Sequence, residues 1–388
     1  MGESRLEVSR TALLHNISLL RRQIPTAAKL CAVVKANAYG HDASIVADTL
    51  CNFTGAGAEA PAVDALAVAT IPEALALPHV DVPIMVFQPV ENALIGEGRK
   101  LIEEALSRNL ILTLTSKSAA DDLARVATVW NVRASVQVMI DTGMARAGVG
   151  VGRASELLEK ATSWPSLRLV GVLTHFVESE VPDSPVTQQQ LADFMALTKD
   201  FAGKITRHAA NSGGVFFVPD AHFDLVRPGI SVYGVDPTCK PDLDRKLRLA
   251  GKWIAPLAGI RDIPAGTGVG YNHTWKAERD TRIGLVPIGY ADGYPRILSN
   301  WGTMIVNNQT APVIGNISMD LITIDLRSCP NAKIGDDVII MDTDPLSPAS
   351  VYRMAELAHT IPYEIFTKIG NRVKRLAVDP TEPAPAVK

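Results

Sequence analysis

Two hydrophobic textures alternate along the first 230 or so residues. Thr11–Leu20 carries apolar residues at helical spacing, then Arg21-Arg22 and Pro25, which predicts an amphipathic helix. Further helices are predicted over His41–Leu50, from Thr70-Ile71-Pro72-Glu73 onward, around Glu103–Ser107, and over Lys117–Val126 and Val186–Phe201. Pro72 falls in a first turn, where proline is tolerated. Between these lie short apolar runs: Cys31–Val34, Ala65–Ala69, Pro83–Phe87, Leu110–Leu114, Ser135–Ile140, Leu167–Thr174, Ile205–Ala209 and Leu225–Arg227. Each has the length of a buried strand. Eight such strands interleaved with helices predict an α/β fold, an N-terminal (β/α)8 TIM-like barrel. A doubly wound open sheet is the runner-up, but no Gly-x-Gly-x-x-Gly follows the first strand.

After Tyr233 the pattern changes. Trp253-Ile254, Arg282–Ile288, Thr303–Val306, Ala311–Ile314 and Asp337–Ile340 are short strands punctuated by Gly, Pro and Asn, the texture of an all-β module. Asp236-Pro237-Thr238-Cys239-Lys240-Pro241 reads as the linker. The expected organisation is a barrel over 1–235, a C-terminal mainly-β domain over 236–378, and a disordered tail over 379–388.

Composition narrows the possibilities. With 47% hydrophobic and 20% charged residues in 388, there is ample material for a core. A formal net charge of −3 gives no general pull toward nucleic acid or an anionic membrane. Cys31, Cys51, Cys239 and Cys329 lack CxxC spacing and companion histidines, so free thiols are expected, without a metal site. The charged start is unlike a signal peptide, and no apolar run approaches the ~20 residues of a membrane span, so a cytoplasmic location is expected.

Chemistry enters at Lys35, where Cys31–Val34 ends and the turn-like Asn37-Ala38-Tyr39-Gly40 begins. A barrel delivers its strand ends to one mouth. A lysine desolvated there is driven toward its neutral, nucleophilic form, which a Schiff base with an aldehyde requires. The alternative is a lysine that snorkels its charge to water. Other strand ends bring Asp141–Arg146, His175, Asn211-Ser212-Gly213-Gly214 and Arg227-Pro228-Gly229-Ile230. Ser212, Gly229 and Ile230 have the character of a phosphate cradle, with the Tyr39 hydroxyl as a further donor. Lysine plus phosphate cradle points to pyridoxal 5′-phosphate.

Val34-Lys35-Ala36-Asn37-Ala38-Tyr39-Gly40-His41 closely resembles the cofactor-lysine signature of the alanine racemases. Asp141-Thr142-Gly143-Met144-x-Arg146, Thr174-His175-Phe176, Asn211-Ser212 and Arg227-x-Gly229-Ile230-x-x-Tyr233-Gly234 follow in the family's order. So do Gly268-x-Gly270-Tyr271, Ile288–Gly293 and Gly315–Asp320, so the resemblance runs from about Leu6 to Arg375. It implies a homodimer that interconverts L- and D-alanine by a two-base mechanism. Lys35 would hold the cofactor and work on one face of the substrate Cα, and Tyr271 from a second subunit on the other. The family pattern further implies that Tyr271 contacts His175, that His175 contacts Arg227, and that Arg227 faces the pyridine nitrogen. Tyr39, Asn211, Ser212, Gly229 and Ile230 would help hold the cofactor. Arg146 and the Met319 backbone would receive the substrate carboxylate, with Asp320 nearby and Tyr290 of the second subunit lining the approach. Read without the family, His175 is a core histidine, Arg227 a surface ion-pair member and Tyr290 a packed strand tyrosine.

The chain departs from the family pattern at several positions. Met139 stands where members commonly carry a carbamylated lysine, so Arg146 would be held by an anion such as chloride or by packing. Asn371 replaces a tyrosine, which widens the space around the substrate side chain and implies serine as a side substrate. Asn316 replaces a corridor arginine, Ser318 a frequent cysteine and Asp42 a frequent glycine. Two competing readings are a non-catalytic cofactor-binding barrel, which would lack the β module, and a racemase preferring another small amino acid.

Overall fold

A computed structural model describes residues 3–52, 61–91 and 95–378. The expected tail from Asp379 lies outside the described residues. By their packing the residues fall into two units. One comprises Asn16–Ala38 and Val46–Val232; the other comprises Met1–His15, Tyr39–Ile45 and Tyr233–Lys388.

In the first unit, parallel strands run in the order Lys29–Val33, Ala65–Val68, Ile84–Pro89, Ile111–Leu114, Ala134–Asp141, Leu167–Leu173 and Thr206–His208. Leu225–Val226 pairs back onto the first of them, as a barrel requires. The remaining seam is bridged where Arg227 N donates to Ala210 O at 2.8 Å and Asp224 N to Arg207 O at 3.1 Å. The eight expected strands are all present. Ala32, Leu66, Leu112, Val136 and Val172 are fully buried on the strand face turned toward the helices, alternating with the inward-facing Thr113, Gln137, Gly171 and His208. Gly171 lies opposite Gln137, and a Cβ there would come within 3.3 Å of His208 Nε2. The glycine leaves room for that inward imidazole.

The helices follow their sequence signals. Ile71–Ala76 starts on a capping box in which the Thr70 hydroxyl accepts from Glu73 N while the Glu73 carboxylate accepts from Thr70 N. Helix Val151–Ser163 was absent from the sequence-based reading, although Ala154, Leu157, Leu158 and Ala161 give it a buried stripe at helical spacing. Its polar remainder and the glycine-rich approach Gly148–Gly152 obscure that stripe.

The second unit is built on a six-stranded sheet in the order Gln309–Pro312, Thr303–Val306, Asp337–Met341, Gly251–Pro256, Arg5–Ser9 and Lys374–Val378. A three-stranded sheet, Gly259–Ile263, Thr281–Val286 and Ile322–Asp325, completes its framework. The N-terminal strand therefore groups with this unit rather than with the expected contiguous 1–235 segment. Leu6 and Val8 are fully buried while their neighbours are less so, the period-two pattern of a sheet strand. The unit is mainly β rather than all β, because Val351–Leu357 and Pro362–Thr367 are helices. No helix among the described residues is long and apolar enough to cross a membrane.

Candidate active site

In the barrel unit, Lys35 opens a turn in which Ala36, Asn37, Ala38 and Tyr39 have φ of 52, 53, 53 and 52°. Consecutive left-handed L-residues cost roughly 1–2 kcal/mol each, so this conformation needs support. Ala38 N donates to Val34 O at 2.8 Å. Ala36 N donates to Glu73 Oε1 at 2.8 Å, while Glu73 Oε2 accepts from Ala69 N at 2.7 Å and Thr70 N at 3.1 Å.

Lys35 is half-buried at a cavity of about 320 Å³, with Phe87, Met139, Asp141, Arg146 and His175 also in its wall. Burial and then the positive charge of Arg146 push the Lys35 ammonium below its ordinary pKa, Arg227 adds to this, and Glu73 opposes it. Burial drives the His175 pKa down to about 3, reinforced by Arg227, Arg146 and Lys35. His175 is therefore a neutral imidazole near pH 7. It lines the cavity rather than the core, unlike the family-independent expectation.

Arg227 is 3% exposed and makes no ion pair among the described residues, again unlike that expectation. Its Nη1 meets His208 Nδ1 at 3.0 Å, and its Nη2 donates to Thr174 O at 2.7 Å and Ala209 O at 3.1 Å. Its Nη1 partner is His208, whose imidazole is kept neutral by burial, and its charge also acts on His175. Burial lowers the Arg227 guanidinium to about 10, which still leaves it charged at neutral pH. Because His208 Nδ1 accepts from Arg227, the remaining ring proton belongs on Nε2.

Ser212, Gly229 and Ile230 do come together. The Ser212 hydroxyl accepts from Gly229 N at 3.0 Å and Ser231 N at 3.3 Å. With both lone pairs engaged, its O–H hydrogen is left to donate. Gly229 thus orients the serine, rather than offering its own N–H as expected. Ile230 opens the 3-10 turn Ile230–Tyr233, whose first N–H groups lack partners within the turn. The Asn211 side-chain oxygen caps Gly214 N at 2.9 Å and accepts from the Ser179 hydroxyl at 2.6 Å. It shapes the cradle from behind. A half-buried amine driven toward neutrality and a serine hydroxyl poised to donate are the donor set an aldehyde-bearing phosphate needs.

Gln190 was not singled out from sequence, yet it ties two mouth loops together. Its Nε2 reaches Thr142 Oγ1 at 3.3 Å and His175 O at 3.1 Å, while its Oε1 accepts from Val177 N at 3.0 Å. One buried glutamine in a glutamine-rich helix gives no pattern to recognise. Glu73 was read only as a helix start for the same reason: its second role is long-range.

The second unit holds the remaining candidates. Tyr39 is buried against Tyr233 and Tyr363, with ring centroids 5.0 and 6.0 Å away. Burial pushes its phenol above the ordinary range. Gly40 follows with φ +82°, and its carbonyl accepts from Arg375 Nε at 3.0 Å. Tyr271 is 70% exposed, on a short turn whose Tyr271 O accepts from Asn316 Nδ2 at 2.9 Å. Tyr290 is 42% exposed and so is not packed in the β core.

Tyr290 and Met319 lie on paired loops. Tyr290 N donates to Ser318 O at 3.2 Å and Ala291 N to Met319 O at 3.1 Å. Arg372 clamps both loops: Nε reaches Asp292 Oδ1 at 3.0 Å, and Nη1 reaches Asp320 Oδ1 at 2.8 Å. Asp292 Oδ2 in turn accepts from Gly289 N at 2.8 Å. Arg372 is a further residue missed from sequence, hidden beside the conspicuous Asn371.

Residues 8–237 match the family described as "Alanine racemase, N-terminal domain", and residues 250–377 match "Alanine racemase, C-terminal domain". The alanine racemase of Chlorobaculum tepidum is 35% identical over 372 residues, covering 94% of this chain and 93% of that protein. The alanine racemase of Sorangium cellulosum is 33% identical, covering 98% of this chain and 100% of its own. Among solved structures, the alanine racemase from Streptomyces coelicolor A3(2) superposes with a TM-score of 0.86 at 34% identity, covering 97% of this chain and 98% of its own. The alanine racemase from Bartonella henselae with covalently bound pyridoxal phosphate gives 0.81 at 30% identity, covering 97% and 100%.

Proposed function

This chain belongs to the alanine racemase family and interconverts L- and D-alanine with pyridoxal phosphate as cofactor, and on that premise we propose that Lys35 and Tyr271 are its two bases. Pyridoxal phosphate, when bound, withdraws electrons from the amino-acid Cα and makes its C–H acidic. Racemisation then needs a proton taken on one face and returned on the other. Neutral Lys35 serves one face at Nζ, and Tyr271 serves the other at its phenol oxygen.

The observation that carries this reading is the half-buried Lys35, its ammonium disfavoured by burial and by Arg146 at a cavity it shares with His175. Arg227 would face the ring nitrogen of the bound cofactor and keep its own proton, since a guanidinium lowered to about 10 remains charged near neutrality. It would thus supply a hydrogen bond there without protonating the ring. Tyr39, Ser212 and Ile230 hold the phosphate, with Asn211 and Gly229 orienting the serine. Arg146 and Met319 N receive the substrate carboxylate, Asp320 positions that loop through Arg372, and Tyr290 lines the approach. The cofactor-binding barrel is assigned to most of residues 16–232, and the β domain to 233–378 together with the N-terminal strand Arg5–Ser9. Tyr271 and Tyr290 act from the second subunit of a cytoplasmic homodimer. The exposure of both tyrosines on one chain supports this reading.

Asn371 is exposed at the position of the family's tyrosine, which makes serine a side substrate. The test is incubation with pyridoxal phosphate and L-alanine or L-serine in heavy water, followed by chiral chromatography with mass detection. D-alanine carrying deuterium at Cα is expected, with a slower D-serine trace. Exchange without inversion would remove Tyr271 as the second base. Alanine turnover with no serine turnover would remove the side activity.

A further inference from the structure

Lys35 is useful only if its Nζ stays where the barrel mouth presents it, yet the residue leads into four consecutive left-handed residues. Asn37 tolerates that conformation, but Ala36 and Ala38 have no intrinsic preference for it. Besides the backbone bond from Ala38 N to Val34 O, side-chain support reaches the start of the turn from Glu73. Glu73 spreads its carboxylate over three backbone N–H groups, Ala36 at 2.8 Å, Ala69 at 2.7 Å and Thr70 at 3.1 Å. Ala36 immediately follows Lys35, while Ala69 and Thr70 follow the adjacent strand Ala65–Val68. One carboxylate therefore ties the end of the lysine strand to the end of its neighbour.

We propose that Glu73 is a positioning residue for Lys35, fixing the backbone from which Nζ reaches the reacting atoms. This rests on the reading of Lys35 as the residue that joins the cofactor aldehyde. Charge-assisted hydrogen bonds to an ionised acceptor are stronger than neutral ones, and three sharing one carboxylate resist the turn's relaxation cooperatively. Glu73 is also the anion that opposes the depression of the Lys35 pKa by Arg146 and Arg227. Removing it thus acts twice, loosening the backbone and tilting the amine further toward neutrality.

A plain helix-cap role would predict something different. Glu73 also belongs to the capping box of Ile71–Ala76, and losing a cap costs about 1 kcal/mol wherever it occurs. Ser116 provides the matched control. Its hydroxyl caps Lys117–Val129 in the same unit by accepting from Ala119 N at 3.1 Å.

The experiment compares Glu73→Ala, Glu73→Gln and Ser116→Ala with the unaltered enzyme. Each protein, stripped of cofactor, is mixed with pyridoxal phosphate and quenched with borohydride over time. Peptide mass mapping locates and counts the reduced adduct. In that step Nζ attacks the aldehyde carbon, water leaves, and hydride from borohydride fixes the C–N bond. Thermal midpoints, kcat and KM for L-alanine, and the pH dependence of adduct formation are measured in parallel.

Glu73→Ala is expected to slow adduct formation at Lys35 and to lower kcat by about 10- to 100-fold, the penalty of misplacing a reacting group by roughly 1 Å. Ser116→Ala should lower the thermal midpoint comparably and leave both rates alone. Glu73→Gln, which retains one acceptor oxygen, should fall between them and shift the pH profile of adduct formation downward. Equal behaviour of the Glu73 and Ser116 variants, both rates unchanged, would overturn the positioning role. An adduct on a residue other than Lys35 in the unaltered enzyme would instead overturn the reading on which it rests.

Discussion

The barrel mouth and the Tyr271–Tyr290 loops of the β unit hold their functional groups by opposite means. At the mouth, groups are fixed by burial: Arg227 and His208 are almost inaccessible, and Lys35 and His175 titrate low because the protein desolvates them beside the charges of Arg146 and Arg227. On the loops, Tyr271 and Tyr290 stand out from the surface, and the backbone beneath them is fixed instead. A Cβ at Gly289 would fall 2.2 Å from Met319 O, and one at Gly315 2.6 Å from Val269 O. Close backbone approach there replaces side-chain packing. Burial tunes a group's protonation at a cost in stability, whereas a wired loop aims a group without any such cost.

Stability and activity should therefore part company differently in the two regions. The largest effect is expected from Lys35→Met and Tyr271→Phe. Lys35→Met should abolish racemisation, and the cofactor-free protein should unfold at an equal or higher temperature than the parent. An amine whose pKa falls on folding opposes folding at every pH below its unfolded value, so its removal relieves that opposition. Tyr271→Phe should cut kcat by about 10²–10⁴-fold, the usual contribution of a general acid–base group, with the thermal midpoint unmoved. Activity assays paired with calorimetry decide both. A large stability loss in Tyr271→Phe would break the contrast.

These expectations show how much could be read from sequence. The barrel was legible because buried strands carry continuous apolar runs such as Cys31–Val34, and Lys35 stood out against that background. The strand Arg5–Ser9 was missed because its alternation is only five residues long and its partners, Gly251–Ile254 and Lys374–Val378, lie far along the chain. Glu73, Gln190 and Arg372 share that difficulty. Each is an ordinary residue on an ordinary element, and its role arises from backbone groups that folding brings to it. His208 as a partner of Arg227 was missed for a related reason, since it ends a three-residue strand and meets the guanidinium only through barrel closure.

Arg227→Met should show the mouth's character most directly. It strands Thr174 O, Ala209 O and His208 Nδ1, all previously met by the guanidinium. Each buried polar atom left without a partner costs about 1–3 kcal/mol, partly offset by removing a desolvated charge, so a net loss of roughly 2–4 kcal/mol is expected alongside lost activity. Urea unfolding measures it. Arg372→Ala, the matching lesion in the β unit, frees the exposed Asp320 and takes from the buried Asp292 its guanidinium partner, leaving it the bond from Gly289 N. Its stability loss should be about 1–2 kcal/mol, between an exposed ion pair and a fully buried one, while KM for alanine rises through the loosened Met319–Asp320 loop.

The most gradual effect is the pH dependence of stability. Burial lowers the pKa of His175 to about 3 and that of His208 well below its ordinary value, so the folded barrel refuses protons that the unfolded chain accepts. The unfolded state then binds more protons below about pH 6.5, and stability must fall as the pH drops toward 3. One fully differential histidine contributes a slope of about 1.4 kcal/mol per pH unit. Between roughly pH 6.5 and 5 few carboxylates change state, and the histidine slope can be read without them. His208→Gln retains an acceptor for Arg227 while removing one titration, so urea midpoints across that window should flatten by the share of one proton. An unchanged slope would mean that the folded barrel tolerates a charged His208, and burial at the mouth would then not be what sets protonation there.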